Sequence, residues 1–302
     1  MQATRYEIID PAFRALVLPN AELELLAEGC RWLEGPVWFA DHDMLVVSDL
    51  PNDRLLRWAS HGGTSVYRSQ VGYENGHARD RQGRLVSCSH QHRCIVRTEW
   101  DGRRTVLADR YQGKRLNSPN DVVVSRDGSI WFTDPPYGIQ TDYEGGKQEC
   151  ELPARLYRID GASGQLDVMA DDMQGPNGLC FSPDEGWLYV SETGLQFDEK
   201  PVQHIRVYQV KGNRHLGSGR VFHTIAPGNA DGMRCDEAGR VWSSAGDGVH
   251  CIAPDGHLMG KILVPAVVSN LCFGDRALSR LFLCASTCLY AIFTNTRGVA
   301  CP

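Results

Sequence analysis

PNDVVVSRDGSIWFTD, residues 119–134, opens on the polar pair Asn120-Asp121 and continues into an apolar run. A turn at Asp127-Gly128 and a second apolar run follow. Short runs of Val, Ile, Trp and Phe between turn residues are how paired antiparallel strands look in sequence. PNGLCFSPDEGWLYVSE at 176–192 and ADGMRCDEAGRVWSSAG at 230–246 repeat the pattern, and weaker copies open at Glu34-Gly35, Asn75-Gly76 and Asn270-Leu271. The six openings are spaced by 41, 45, 57, 54 and 39 residues. A period of about 40–50 residues built from short strands marks a β-propeller, with one blade per repeat. The expectation is therefore an all-β chain. It is a six-bladed β-propeller with four-stranded antiparallel blades, a single domain over residues 1–302. The ring is expected to close with an N-terminal strand drawn from residues 21–28, which would leave no long exposed sheet edge.

Composition narrows the functional classes. The chain has 31 basic and 37 acidic residues, a net charge of −6, and no Lys/Arg stripe, so nucleic acid is not an expected partner. There is no apolar stretch of membrane-spanning length, so no membrane partner is expected either. The first twenty residues lack a basic stretch followed by an apolar block, which reads as no signal peptide and a cytoplasmic protein. Eleven cysteines form no convincing disulfide framework and read as small buried hydrophobes. Cys284/Cys288 and Cys88/Cys94 offer only a weak zinc alternative. His42, His61, His215 and His257 read as surface turn residues.

Blade geometry places the polar openings, or anchors, in one ring at one end of the channel. The second strand of each blade returns to the same face. Its end falls 14–16 residues after the anchor, at Asp49, His90, Asp134, Glu192, Gly246 and Ser286. These form an expected second ring of site candidates. Two long connections, 137–153 and 193–203, leave second strands and so belong on the anchor face, where loops commonly carry specificity. Gly138, Gly145 and Gly146 would make the first of them mobile.

Glu34 and Asp231 are the two carboxylates of the anchor ring, and no Arg or Lys occupies an anchor position. Carboxylates facing a narrow channel are costly to desolvate unless something pairs them. One bound divalent cation would do so, with the amide oxygen of Asn177 as a third ligand. An all-oxygen set favours Ca²⁺, with Mg²⁺ or Mn²⁺ next and Zn²⁺ last. Three protein ligands leave positions open for substrate.

The chain resembles the gluconolactonase and regucalcin (senescence marker protein) family of six-bladed propellers. The resemblance rests on LEGPVW at 33–38, NSPNDVVVSRDGSIWFTDPPYG at 117–138, GPNGLCFSPDEGWLYVSET at 175–193 and ADGMRCDEAGRVWSSAGDGVHCIAPDG at 230–256. DRQGRLVSCSHQHRCIVRTEWDG at 80–102 is similar to the bacterial gluconolactonase branch. By that resemblance the metal ligands are Glu34, Asn177 and Asp231, and Asn120 contacts substrate or a metal-held water. The animal branch places an Arg two residues before that Asn, where this chain has Ser118. The residues available for substrate binding in its place are Asn117, His77, His90, Asp134 and Tyr137, beside Asn120. His77 follows its anchor by two residues and should point the same way along the strand.

The resulting expectation is a metal-dependent lactonase of carbohydrate metabolism, with a small-molecule sugar lactone as its partner. Asp231 or Asp121 would take the proton of the attacking water, while Asn120 orients substrate. No GxSxG elbow supports a serine hydrolase. The alternatives are a divalent-metal hydrolase of other esters or phosphotriesters, and a non-enzymatic calcium- or ligand-binding propeller.

Overall fold

The computed structural model describes residues 5–195 and 202–300. Six antiparallel sheets surround one channel, as the repeat predicts. Blade 1 runs Leu33–Phe39, Met44–Asp49, Arg54–Ala59 and Gly63–Ser69 from the channel outward. Blade 2 has inner strands Glu74–Arg79 and Leu85–Ser89; blade 3 has Val122–Val124 and Ile130–Asp134; blade 4 has Pro176–Phe181 and Trp187–Glu192. Blades 5 and 6 open on Met233–Cys235 and Val268–Gly274. Glu24–Ala27 pairs with Cys288–Phe293 as the outermost strand of blade 6 and closes the ring, inside the stretch expected to do so. A second N-terminal strand, Tyr6–Ile8, adds a fifth member to blade 5, which the four-strand expectation did not include.

Apolar residues from neighbouring sheets interlock between blades. Trp38 and Phe282 stack at 5.4 Å between blades 1 and 6, and Trp242 meets Phe273 edge-on between blades 5 and 6. Of the ten described cysteines, eight are buried in this core and none is paired in a disulfide, so they act as small hydrophobes there. His42, His61, His215 and His257 are exposed. Among the described residues no helix is long and apolar enough to cross a membrane.

Two repeated hydrogen bonds lock the anchor end. A hydroxyl on the second strand of one blade donates to the anchor carbonyl of the next: Ser48 to Asn75 (3.0 Å), Thr133 to Asn177 (2.7 Å) and Ser191 to Asp231 (2.9 Å). The carboxylate that ends a second strand takes the backbone N–H three residues before its own anchor. Asp49 binds Arg31 (2.9 Å), Asp134 binds Asn117 (2.8 Å) and Glu192 binds Gln174 (3.1 Å). Three of the six expected second-ring positions, Asp49, Asp134 and Glu192, are therefore brackets that hold the segments leading into their blades.

Candidate active site at one mouth of the channel

The anchors converge because the inner strands are irregular where they begin. In blades 1, 2, 4 and 6 the register slips at the anchor, between Glu34 and Val37, Glu74 and His77, Pro176 and Leu179, and Val268 and Asn270. A bulge breaks the two-residue alternation and re-aims side chains. Glycine follows the anchor for a related reason. A Cβ on Gly35 would collide with the Asn75 carbonyl, and one on Gly178 with the Asp231 carbonyl. Only a hydrogen fits where neighbouring blades meet this closely.

A cavity of about 300 Å³ results, with Glu34, Asn75, Asn120, Asn177 and Asp231 in its wall. The structure thus gathers all three expected metal ligands, together with Asn120. The sixth anchor, Asn270, stands behind the wall and donates to Glu34 Oε2 at 3.1 Å. Trp32, Leu50 and Leu195 supply apolar wall, as does Tyr137. The Tyr137 hydroxyl is fixed by the carbonyls of Gly175 (3.0 Å) and Gly194 (2.6 Å).

Other candidates lie elsewhere. Asn117 and Asp134 bond each other, through Asn117 N to Asp134 Oδ2 and through Asn117 Nδ2 to the Asp134 carbonyl at 3.1 Å, and neither lines the cavity. His77 does not follow Asn75 into it. The bulge between them turns the imidazole into the joint of blades 1 and 2, between Ser48 Oγ and Ser87 Oγ, each at 2.8 Å. Burial and the Arg104 charge lower its pKa to about 3. His90 stands one layer back, 3.2 Å from Asn75 Nδ2, and burial lowers its pKa to about 4.

Asp121 occupies the position that is glycine in four other blades, one residue below the ring. Its Oδ1 accepts Val122 N at 2.9 Å, and Arg234 approaches its Oδ2 at 3.9 Å. Asp121 is absent from the cavity wall. Arg234 was not legible as a site residue, since nothing in sequence ties it to Asp121 across the channel.

Loop 137–153 does lie on the anchor face. It brings Glu144 into the cavity wall. The loop packs against its neighbours at both ends. Arg93 Nη1 and Arg115 Nη1 hold Gln148 (3.2 and 3.4 Å), and Ile139 and Leu152 are buried. Cβ atoms on Gly138 and Gly145 would strike His90 and the Gly138 carbonyl respectively, so close packing accounts for these two glycines, whereas a Cβ on Gly146 would meet nothing closer than 4.0 Å. The second expected loop, 193–203, lies partly outside the described residues. Its described start places Thr193, Gly194 and Leu195 in the cavity wall.

The electrostatics test whether a cation fits. Burial, before any other cause, raises the Glu34 pKa to about 7, although the Asn270 amide opposes it. Burial and then the Glu34 charge raise Asp231 well above the usual carboxylate range, and the Asn177 amide partly offsets this. No Lys or Arg is among the described residues of the wall. Among the described residues no three His, Cys, Asp or Glu side chains converge in metal-holding geometry, so the set on offer is two carboxylates and an amide. Two buried carboxylates without a counter-charge, beside a neutral oxygen donor, fit a hard divalent cation.

A six-bladed propeller with a carboxylate-and-amide cavity at one mouth defines a class of small-molecule sites on a rigid ring. The chain belongs to the family described as SMP-30/Gluconolactonase/LRE-like region, which it matches over residues 32–287. It is 31% identical to the gluconolactonase of Zymomonas mobilis, over 95% of this chain and 85% of that one. It is 28% identical to the 6-deoxy-6-sulfogluconolactonase of Pseudomonas putida, over 89% and 93%. The solved gluconolactonase of Xanthomonas campestris superposes with a TM-score of 0.89 at 39% identity, over 96% of this chain and 94% of that one.

Proposed function

We propose that this chain hydrolyses a sugar lactone of the gluconolactone type to the open sugar acid, with one divalent cation, Ca²⁺ first, held by Glu34, Asn177 and Asp231. The observation that carries the reading is the pair of buried carboxylates sharing one cavity without a basic partner in its described wall. When bound there, the cation would supply Lewis-acid polarisation of the ester carbonyl.

The chain's own groups account for the rest. Asp231 accepts the proton of the attacking water as the water oxygen bonds to the carbonyl carbon. The ring C–O bond then breaks, and the proton passes to the ring oxygen as it leaves as a hydroxyl. Asp121 is not assigned this role, because its carboxylate faces Arg234 below the ring. Asn75 and Asn120 orient the sugar hydroxyls, and Tyr137 shapes the wall. Asn75 is well placed for this. Neutral His90 gives its Nδ1 proton to the Glu144 carbonyl (3.0 Å), so its Nε2 accepts from Asn75 Nδ2 and the Asn75 oxygen is left to face inward.

The test is hydrolysis of glucono-1,5-lactone before and after chelation. Activity should vanish with EDTA and return with one added divalent ion. Activity untouched by chelation would remove the cation from the reading. No activity on any lactone would remove the lactonase.

A further inference from the structure

Among the described carboxylates of the cavity wall, Glu144 is the one that is not an anchor at the opening of a blade. It arrives on loop 137–153, and its place is fixed through the backbone. The Glu144 carbonyl accepts from His90 Nδ1 at 3.0 Å, His90 in turn holds the anchor Asn75 at 3.2 Å, and Gly138 packs on the His90 ring. The side chain is therefore presented to the cavity by a rigid support. Its charge is felt by both Glu34 and Asp231 as a further repulsion. It stands outside the Glu34–Asn177–Asp231 set, so a cation held there leaves it the least compensated negative charge in the wall.

We propose that Glu144 is a specificity-determining residue that selects the substrate by charge. The cavity admits uncharged polyhydroxylated lactones and refuses those carrying a phosphate or sulfonate where the substrate meets Glu144. This rests on the lactonase reading above. A sugar hydroxyl has a proton to donate to a carboxylate, whereas a phosphate or sulfonate oxygen brings a like charge to an acceptor-only group. No Lys or Arg of the described wall is there to receive that charge. Juxtaposed like charges are how binding sites reject a near-identical ligand. The family scaffold does not itself impose the choice, since the relative from Pseudomonas putida is named for an anionic lactone.

The experiment compares kcat/KM for glucono-1,5-lactone and for its 6-phosphate, in the whole protein with its metal. Burial raises the Glu144 pKa to about 7, so assays belong at about pH 8, where the carboxyl is ionised. The wild type should favour the neutral lactone by about 100-fold or more. In Glu144→Gln that ratio should fall about tenfold, and in Glu144→Arg further still. The isosteric Gln variant keeps the test open if the Arg variant folds poorly. A wild type that takes the phosphate equally well would overturn the proposal and leave the lactonase standing. So would a ratio unmoved in both variants. A wild type inactive on both lactones would overturn the two together.

Discussion

The two mouths of the channel are built by the same six inner strands and could hardly differ more. At one mouth the strands begin, and their anchors present carboxylates and amides to a cavity of about 300 Å³. At the other they run out through Val37, Trp38, Val123, Cys235 and Phe273 around a space of about 170 Å³. Basic groups at that far mouth are engaged. Arg79 pairs with Asp41, Arg126 takes the Pro183 carbonyl at 2.6 Å, and Arg234 faces Asp121. The near mouth holds negative charge with no basic partner in its described wall, whereas the basic groups named at the far mouth have partners. Stable folds rarely leave carboxylates uncompensated in low dielectric, so the imbalance supports the proposal that the near mouth is the place of function.

The contrast is broken most severely by removing one of its two anchor carboxylates. Asp231→Ala should lower kcat/KM on gluconolactone by about 10³-fold or more, since it deletes the proposed proton acceptor and one of the two proposed anionic ligands. Calorimetric metal affinity should fall with it while circular dichroism stays that of the wild type. Unchanged metal affinity would show that Asp231 is not a ligand.

Acid should loosen both mouths at once. His77 sits among the residues at the far mouth and His90 behind the near one, and both are buried and neutral. Burial lowers their pKa values to about 3 and about 4. The unfolded chain binds these protons near pH 6.5 and the folded one only later, so the stability they permit is full above that pH and is lost as pH falls towards 4 and 3. By about pH 5 each should cost roughly 2 kcal/mol relative to pH 8. Urea unfolding across that range checks this, and the acid slope should be shallower in His77→Gln.

Midway between the mouths, Arg234→Met strands Asp121 in the channel without its cationic neighbour. A loss of about 2 kcal/mol is expected, less than for a fully buried pair because Arg234 retains some exposure. Adding Asp121→Asn should restore part of it. Additive losses would show that the two do not interact.

The six anchors and the closing strand near 24–27 were legible because each follows from a repeat and a register, whereas the choice of Glu34, Asn177 and Asp231 as a set came from their chemistry and the family resemblance. What the register hid was its own interruption. Two-residue alternation sends His77 into the cavity, but the bulge after Asn75 sends it between blades. Asp134 does reach the expected face, yet its carboxylate turns back to hold Asn117 N. Partnerships of that kind are set by distances across the fold, not along the chain. Glu144 was invisible for the opposite reason. It lies in a loop with no period, and only the packing of that loop brings it to the wall. The hydroxyls Ser48, Thr133 and Ser191 were a missed signal that sequence did carry, since they fall 13–14 residues after their anchors.

The loop allows the finest test of the comparison, because it belongs to the near mouth alone. Sequence reads Gly138 as a hinge, whereas in the structure a Cβ there would drive into the His90 ring. Gly138→Ala must therefore shift either the imidazole or the short helix Tyr137–Gln140. Overpacking of this kind costs about 1–2 kcal/mol where the surroundings can give. The shift would pass along the contacts from His90 to Asn75 and to Glu144, so substrate handling should suffer before chemistry does. We expect KM for gluconolactone to rise several-fold, by about 1 kcal/mol of lost binding, with kcat within about twofold and metal affinity unchanged. A hinge glycine would behave differently. Its loss would slow opening and closing and lower kcat and KM together. Steady-state kinetics on this one variant thus decide whether the loop is a fixed wall of the polar mouth or a moving cover over it.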